Sequence, residues 1–248
     1  MTDNGHIFTG RRSQSGFTLI ELLVSMFISI ILLAGLVYVF ISVRTTFNSQ
    51  TTLAQLQDDQ RVAMAIVSHV IQEAGYFPTP QTVTVANQFP VSTDFKLAGQ
   101  VVVGTGSGST GTSADVLTVR FAASSIGTTT SDFILNCNGS ANTSAFAIKT
   151  FVNQFTVNSS NDLTCAVDGG TPVALVGNVT SWSVRYGVDV NGDGTAYRYY
   201  NANSMPSASW TQVVSVRVQL SFTNPLANQT GQPSTIDLAR VVNLMNRG

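Results

Sequence analysis

The sequence predicts an α+β fold, a long N-terminal helix packed on an antiparallel β-sheet domain, and three patterns predict it. From Leu22 to Val43 the chain reads LLVSMFISIILLAGLVYVFISV, with no charge and only Ser25, Ser29 and Ser42 as polar residues. Downstream, Leu53, Leu56, Gln60, Ala63, Val67, Val70 and Ala74 step by threes and fours, an apolar stripe interrupted only at Gln60. After Pro80 the period shortens to two: Val214, Val216, Val218, Leu220 and Phe222 alternate with Ser215, Arg217, Gln219 and Ser221, one buried and one wet face of an antiparallel strand.

The N-terminal element begins with Arg11 and Arg12, no acid closer to it than Asp3, and then Gly16-Phe17-Thr18-Leu19-Ile20-Glu21. About twenty apolar residues span a bilayer as a helix, which places a transmembrane segment at about 20–43. The two arginines put the N-terminus in the cytoplasm and everything after Arg44 on the far side. An ordinary secretory signal has a shorter apolar core followed by a small-x-small cleavage site; here the small residue, Gly16, precedes the apolar run, so the segment stays in the mature protein. Glu21 is the exception inside it. A carboxylate in a membrane-length apolar run costs several kcal/mol unless it finds a partner, so it marks a functional site whose partner has to be named. Gly75 offers a helix cap and Pro78 a stop, so one helix is expected over 17–74, its first half in lipid or a filament core and its second half carrying a globular domain.

Strand-like runs follow at Asp115 to Phe121, Phe146 to Val157, Val179 to Tyr186, Val213 to Phe222 and Ile236 to Met245, separated by Gly, Asn and Ser clusters. They predict a β-rich domain over 75–248, an antiparallel sheet laid on the second half of the helix. The stretch Gly104 to Gly111, GTGSGSTG, reads as a surface loop. Its Gly106-Ser107-Gly108-Ser109-Thr110-Gly111 fits the dinucleotide fingerprint, but that fingerprint needs a helix next, and the β-like ADVLTVRF follows. Cys137 and Cys165, the only cysteines, both fall on the oxidising side of the membrane. A disulfide between them would contribute roughly 3 to 4 kcal/mol by loop entropy; free thiols or half a metal site compete poorly, for want of further ligands.

Charge and histidine content narrow the function. The formal net charge is −1 and charged residues make up 10% of the chain, against roughly 25% in typical soluble domains. That leaves no electrostatic footprint for nucleic acid. It suits an extracellular surface packed against similar subunits. The two histidines are His6 and His69; His69 reads as a partly exposed helix residue, and no Ser/His/Asp set, His metal cluster or Walker loop can be assembled. No catalytic residues are expected. One polar motif points to a cation. Asp189, Asn191, Asp193 and Thr195 supply oxygens at positions 1, 3, 5 and 7 of an EF-hand-like loop, with Gly194 at 6. Position 12 is Tyr200 rather than the bidentate Glu, so a calcium ion would need ligands from elsewhere. The same residues also suit a hairpin turn between Tyr186 and Tyr197, and both readings stand.

The arginine-rich leader, Gly16, the aromatic Phe17 and Glu21 as the fifth residue after the glycine together resemble the class III leader of type IV pilins and type II secretion pseudopilins. That resemblance implies that residues 1–16 are a leader peptide cut between Gly16 and Phe17 by a prepilin peptidase, with methylation of the new Phe17 amino group. It also supplies a partner for Glu21: the positive N-terminal nitrogen of a neighbouring subunit. Losing Asp3, Arg11 and Arg12 with the leader would leave the mature chain at a formal charge of about −2. A plain N-in anchor that carries a Glu would need leader charge, glycine, aromatic and spacing to coincide. Further along, IQEAGY (Ile71 to Tyr76), the two cysteines, YGVDVNGDG (Tyr186 to Gly194), VVSVRVQL (Val213 to Leu220) and RVVNLMNR (Arg240 to Arg247) resemble the PilW family of minor pilins. The membrane half lacks the proline that many major pilins carry there. What the family implies is a non-enzymatic minor pilin, held in the inner membrane before assembly and then in the extracellular pilus. It would prime the pilus with other minor pilins and the major pilin, sit at or near the tip, and present a tip adhesin. No cofactor is required by that role, calcium apart. A J-type pseudopilin of type II secretion and a stand-alone membrane-anchored binding protein are the alternatives.

Overall fold

The computed structural model describes residues 16–106, 115–126, 132–144 and 147–246. The expected leader and most of the Gly104 to Gly111 loop lie outside them. Contacts divide the chain into two compact units, Met1–Thr51 and Thr52–Gly248.

In the first unit the described chain is the start of helix α1, Leu19–Gln72. Its apolar side chains are exposed in every direction, among them Leu22, Leu33 and Phe47, and its most apolar 18-residue window has a mean hydropathy of 2.7 with none of it buried. Length and composition suffice to cross a bilayer. Two hydroxyls inside this stretch are spent internally: Ser25 donates to the Glu21 carbonyl at 2.7 Å and Ser29 to the Ser25 carbonyl at 2.7 Å. Serine back-bonding of this kind removes the cost of a polar group in an apolar surround.

In the second unit the remaining turns of α1 bury one stripe: Leu56, Ala63, Met64, Val67, Ser68, Val70 and Ile71. Gln60, the gap in the sequence pattern, is half-buried. The chain leaves the helix through Gly75, whose φ of +80° favours glycine and whose N–H donates to the Arg120 carbonyl at 3.0 Å. A side chain at this position would run into the Asn246 carbonyl.

The strands form two antiparallel sheets rather than the single sheet expected. The first has five strands in sequence order: β1 (Val102–Thr105), β2 (Val116–Ser124), β3 (Ile148–Val157), β4 (Leu163–Val167) and β5 (Val173–Val176). The second holds β6 (Val179–Val188), β7 (Arg198–Tyr200), β8 (Val213–Thr223) and β9 (Thr235–Asn243), in the order β7-β6-β8-β9. The break falls at Gly177-Asn178, where Asn178 has φ 61° and the extended path needed to continue one sheet is lost. Residues of α1 and of both sheets, including Phe121, Phe155, Trp182, Tyr186 and Phe222, share one buried cluster.

The segment between the helix and β1 is tied down by a single cation. Arg120, buried on β2, donates from Nε to the Gln100 carbonyl at 2.6 Å, from Nη1 to Pro90 at 2.8 Å and from Nη2 to Phe89 at 3.0 Å. Its guanidinium lies 4.1 Å from the Phe95 ring centroid. Burial lowers its pKa to about 10, so it remains charged at neutral pH. Three carbonyls and an aromatic face replace the water it gave up.

Candidate functional site

Gly16, Phe17 and Thr18 precede the helix without regular structure, and all three are exposed. The bond between Gly16 and Phe17 is therefore open to a protease. A Cβ built on Gly16 would meet nothing within 4 Å, so the fold places no steric demand for glycine here. Thr18 caps the helix: its Oγ1 accepts the Glu21 N–H at 3.4 Å, and its carbonyl accepts the Leu22 N–H at 3.2 Å. Thr18-x-x-Glu21 is a capping-box spacing, a sequence signal that the reading from charge and hydropathy passed over.

Glu21 stands in the first turn of α1, where the positive end of the helix dipole favours a carboxylate. Among the described residues no ion pair reaches it. It is the lone acid in a stretch where Ser25 and Ser29 bond back to their own helix. Its neighbours Leu19, Ile20, Leu22 and Leu23 are exposed and apolar. A carboxylate in such an apolar surround calls for a cationic partner.

Away from the helix start, Cys137 and Cys165 are joined as a disulfide with a Cα–Cα distance of 6.3 Å. The bridge links the loop before β3 to β4, and the Cys137 N–H donates to Asn153 Oδ1 on β3 at 2.9 Å. Asp189, Asn191, Asp193 and Thr195 lie on the connection from β6 to β7. Asp189 Oδ1 accepts the N–H groups of Asn191 (3.1 Å) and Gly192 (2.7 Å), and Oδ2 accepts that of Gly194 (2.7 Å). The Gly194 amide, helped by those of Gly192, Asn191 and Asp193, holds the Asp189 carboxyl below the usual carboxylate range. Asp193 Oδ1 in turn takes the N–H and hydroxyl of Thr195 at 2.8 and 2.7 Å. Three amides fill most of the roughly four acceptor sites of a carboxylate, so the loop closes on itself as a turn. Among the described residues no group of three or more His, Cys, Asp or Glu comes together as a metal site.

One titratable cluster was not legible from sequence. His69 Nε2 lies 3.3 Å from Glu73 Oε1, and the other Glu73 oxygen is buried with no hydrogen-bond partner among the described residues. Burial, with Asp132 adding repulsion, pushes the Glu73 pKa up to about 8. Burial, and then Asp132, also raise the pKa of Tyr76. His69 and Glu73 are an i, i+4 pair, but Asp132 is brought to them by a loop.

Two family models match the chain. The one described as Type IV Pilus-assembly protein W covers residues 146–241, and that of the prokaryotic N-terminal methylation motif covers residues 11–37. The first runs from β3 into β9. The second spans Gly16, Phe17 and Glu21. No curated protein matches the chain.

Proposed function

Because the chain is a PilW-like type IV pilin, we propose that it is a minor, non-enzymatic subunit that primes pilus assembly and stays at or near the tip. The observation that carries the assembly role is the pairing of an exposed Gly16–Phe17 bond with Glu21 one helical turn further on, at the head of an unburied apolar helix. Cleavage after Gly16 by a prepilin peptidase would create an amine on Phe17, methylated in the mature subunit. The Phe17 amine of one subunit then neutralises Glu21 of the next, and the burial cost of both charges is offset only in that register. Before assembly the same helix anchors the subunit in the inner membrane with its N-terminus cytoplasmic; afterwards it packs against other minor pilins and the major pilin. A tip adhesin is the partner proposed for the exposed end of the filament.

Absence of a proline in the membrane half and the match to the W-type family favour a minor over a major subunit. A deletion strain tests the priming role: surface pili should fall sharply in number, and normal piliation would overturn it. The disulfide is proposed to hold the loop before β3 for exposure outside the cell. The 189–195 loop is proposed as a turn that takes calcium only when a neighbouring subunit adds oxygens. Isothermal titration of the processed chain, alone and with partner pilins, should give calcium binding only in the mixture.

A further inference from the structure

The solvent face of the second sheet carries a charge arrangement that the assembly role does not use. Pairing of β6 with β8 sets Arg185 directly opposite Arg217, and Ser183 directly opposite Gln219. These four residues line a recess of about 80 Å³, and both arginines are exposed. Like charges facing each other across a strand pair are destabilising. Among the described residues no ion pair neutralises them: those present are Arg61–Asp58, His69–Glu73 and Lys149–Asp168. On β9, Arg217 faces Val241 and Gln219 faces Ala239. The acid of that strand, Asp237, faces Ser221, four residues from Arg217 and therefore about 13 Å along the sheet. Asp115, which reaches β6 from the loop before β2, turns its Oδ2 to the Val184 N–H at 2.9 Å. In a chain with a formal charge of −1, two arginines thus occupy directly paired positions on one recess, at a local cost.

We propose that Arg185 and Arg217, with Gln219 beside them, form a recess for an oxoanion: a phosphate or sulfate group, either free or carried on an acidic saccharide. Two planar forks on facing strands can share the oxygens of one tetrahedral anion, each through parallel N–H donors. The bound anion removes the repulsion that the empty face carries. The volume admits a single such group, so a larger ligand enters by one charged substituent. The site does not depend on filament formation, and it can be tested on unassembled subunits.

The test is calorimetric titration of the full processed chain in detergent micelles, at constant ionic strength balanced with chloride. The probes are inorganic phosphate, sodium sulfate and a sulfated disaccharide. Saturable binding is expected, weakened about tenfold by Arg185→Gln or Arg217→Gln, less by Arg217→Lys, which keeps the charge and loses the fork. Arg240→Gln, on β9 outside the recess, should bind like wild type. A disaccharide that binds about tenfold tighter than sulfate assigns the saccharide; equal affinities assign the free anion. Thermal midpoints give an independent readout. In buffer free of oxoanions, Arg217→Gln should melt slightly above wild type because it relieves repulsion, and the order should reverse when sulfate is added. Wild-type affinity in both Gln variants, no saturable binding at millimolar anion, or a lower midpoint for Arg217→Gln in oxoanion-free buffer would overturn the proposal.

Discussion

The two parts of helix α1 are built from similar apolar residues and meet opposite fates. Between Leu19 and Phe47 the apolar side chains are exposed on all sides, whereas from Leu56 to Ile71 a single stripe is buried. The difference lies in the arrangement of the polar residues. The first stretch has almost none and cannot present a wet face, so its surface has to be covered by lipid or by other helices. The second interleaves Gln57, Asp58, Arg61 and His69 with its stripe, leaving one side for the sheets and one for water. One helix thus carries two solvents' worth of sequence.

The comparison is broken most directly at Glu21. Glu21→Ala should abolish filament assembly while leaving both leader cleavage, read by the shift of the processed band, and the melting of the second unit unchanged. If piliation is unchanged in this variant, Glu21 has no role in assembly. Next come paired truncations of equal chemistry. Ile71→Ala empties part of the core and should cost about 2 to 5 kcal/mol in denaturant unfolding, whereas Leu33→Ala in the exposed stretch should leave that transition in place. Arg120→Met strands three carbonyls and should cost about 3 kcal/mol, with protease sensitivity appearing first around residues 89–100. Replacing both Cys137 and Cys165 by Ala should remove about 3 kcal/mol, lost likewise when the wild type is reduced.

The comparison is also sharpened through pH. The Glu73 carboxyl ordinarily titrates near 4.5 and in the folded chain near 8. Between those values the folded state holds a proton that the unfolded state has released, so this group makes stability fall as pH rises through the window, with no contribution to the slope below or above it. Glu73→Gln keeps the neutral shape and should flatten that part of the pH–stability profile. A profile of unchanged slope would show that Glu73 is ionised in the fold.

Much of the fold could be read without coordinates, and the failures share a cause. The stripe from Leu56 to Ala74 and the alternation from Val213 to Phe222 are local periodicities, and α1 and β8 follow them closely. Strands β4 and β5 were missed because they are short and the chain around them is polar. Yet Asp168-Gly169 between them, both at positive φ, is a hairpin signal that could have found them. Division into two sheets could not be read, since it turns on a backbone conformation at Asn178. For the candidate site, Gly16, Phe17 and Glu21 stand within six residues of one another, so the proposed leader chemistry rests on a local pattern. The carboxylate cluster at Glu73 does not, because Asp132 arrives from a distant loop.

By itself the sequence determined the membrane-length helix, the carboxylate within it, the cysteine pair and the strand grammar, all of them properties of spacing along one segment. Only the tertiary structure decided which strands share a sheet, that Arg120 holds the chain between helix and β1, and that Arg185 faces Arg217. Those depend on register between segments far apart in the chain. A shift of one residue would turn either arginine to the other face, and no local pattern can specify that.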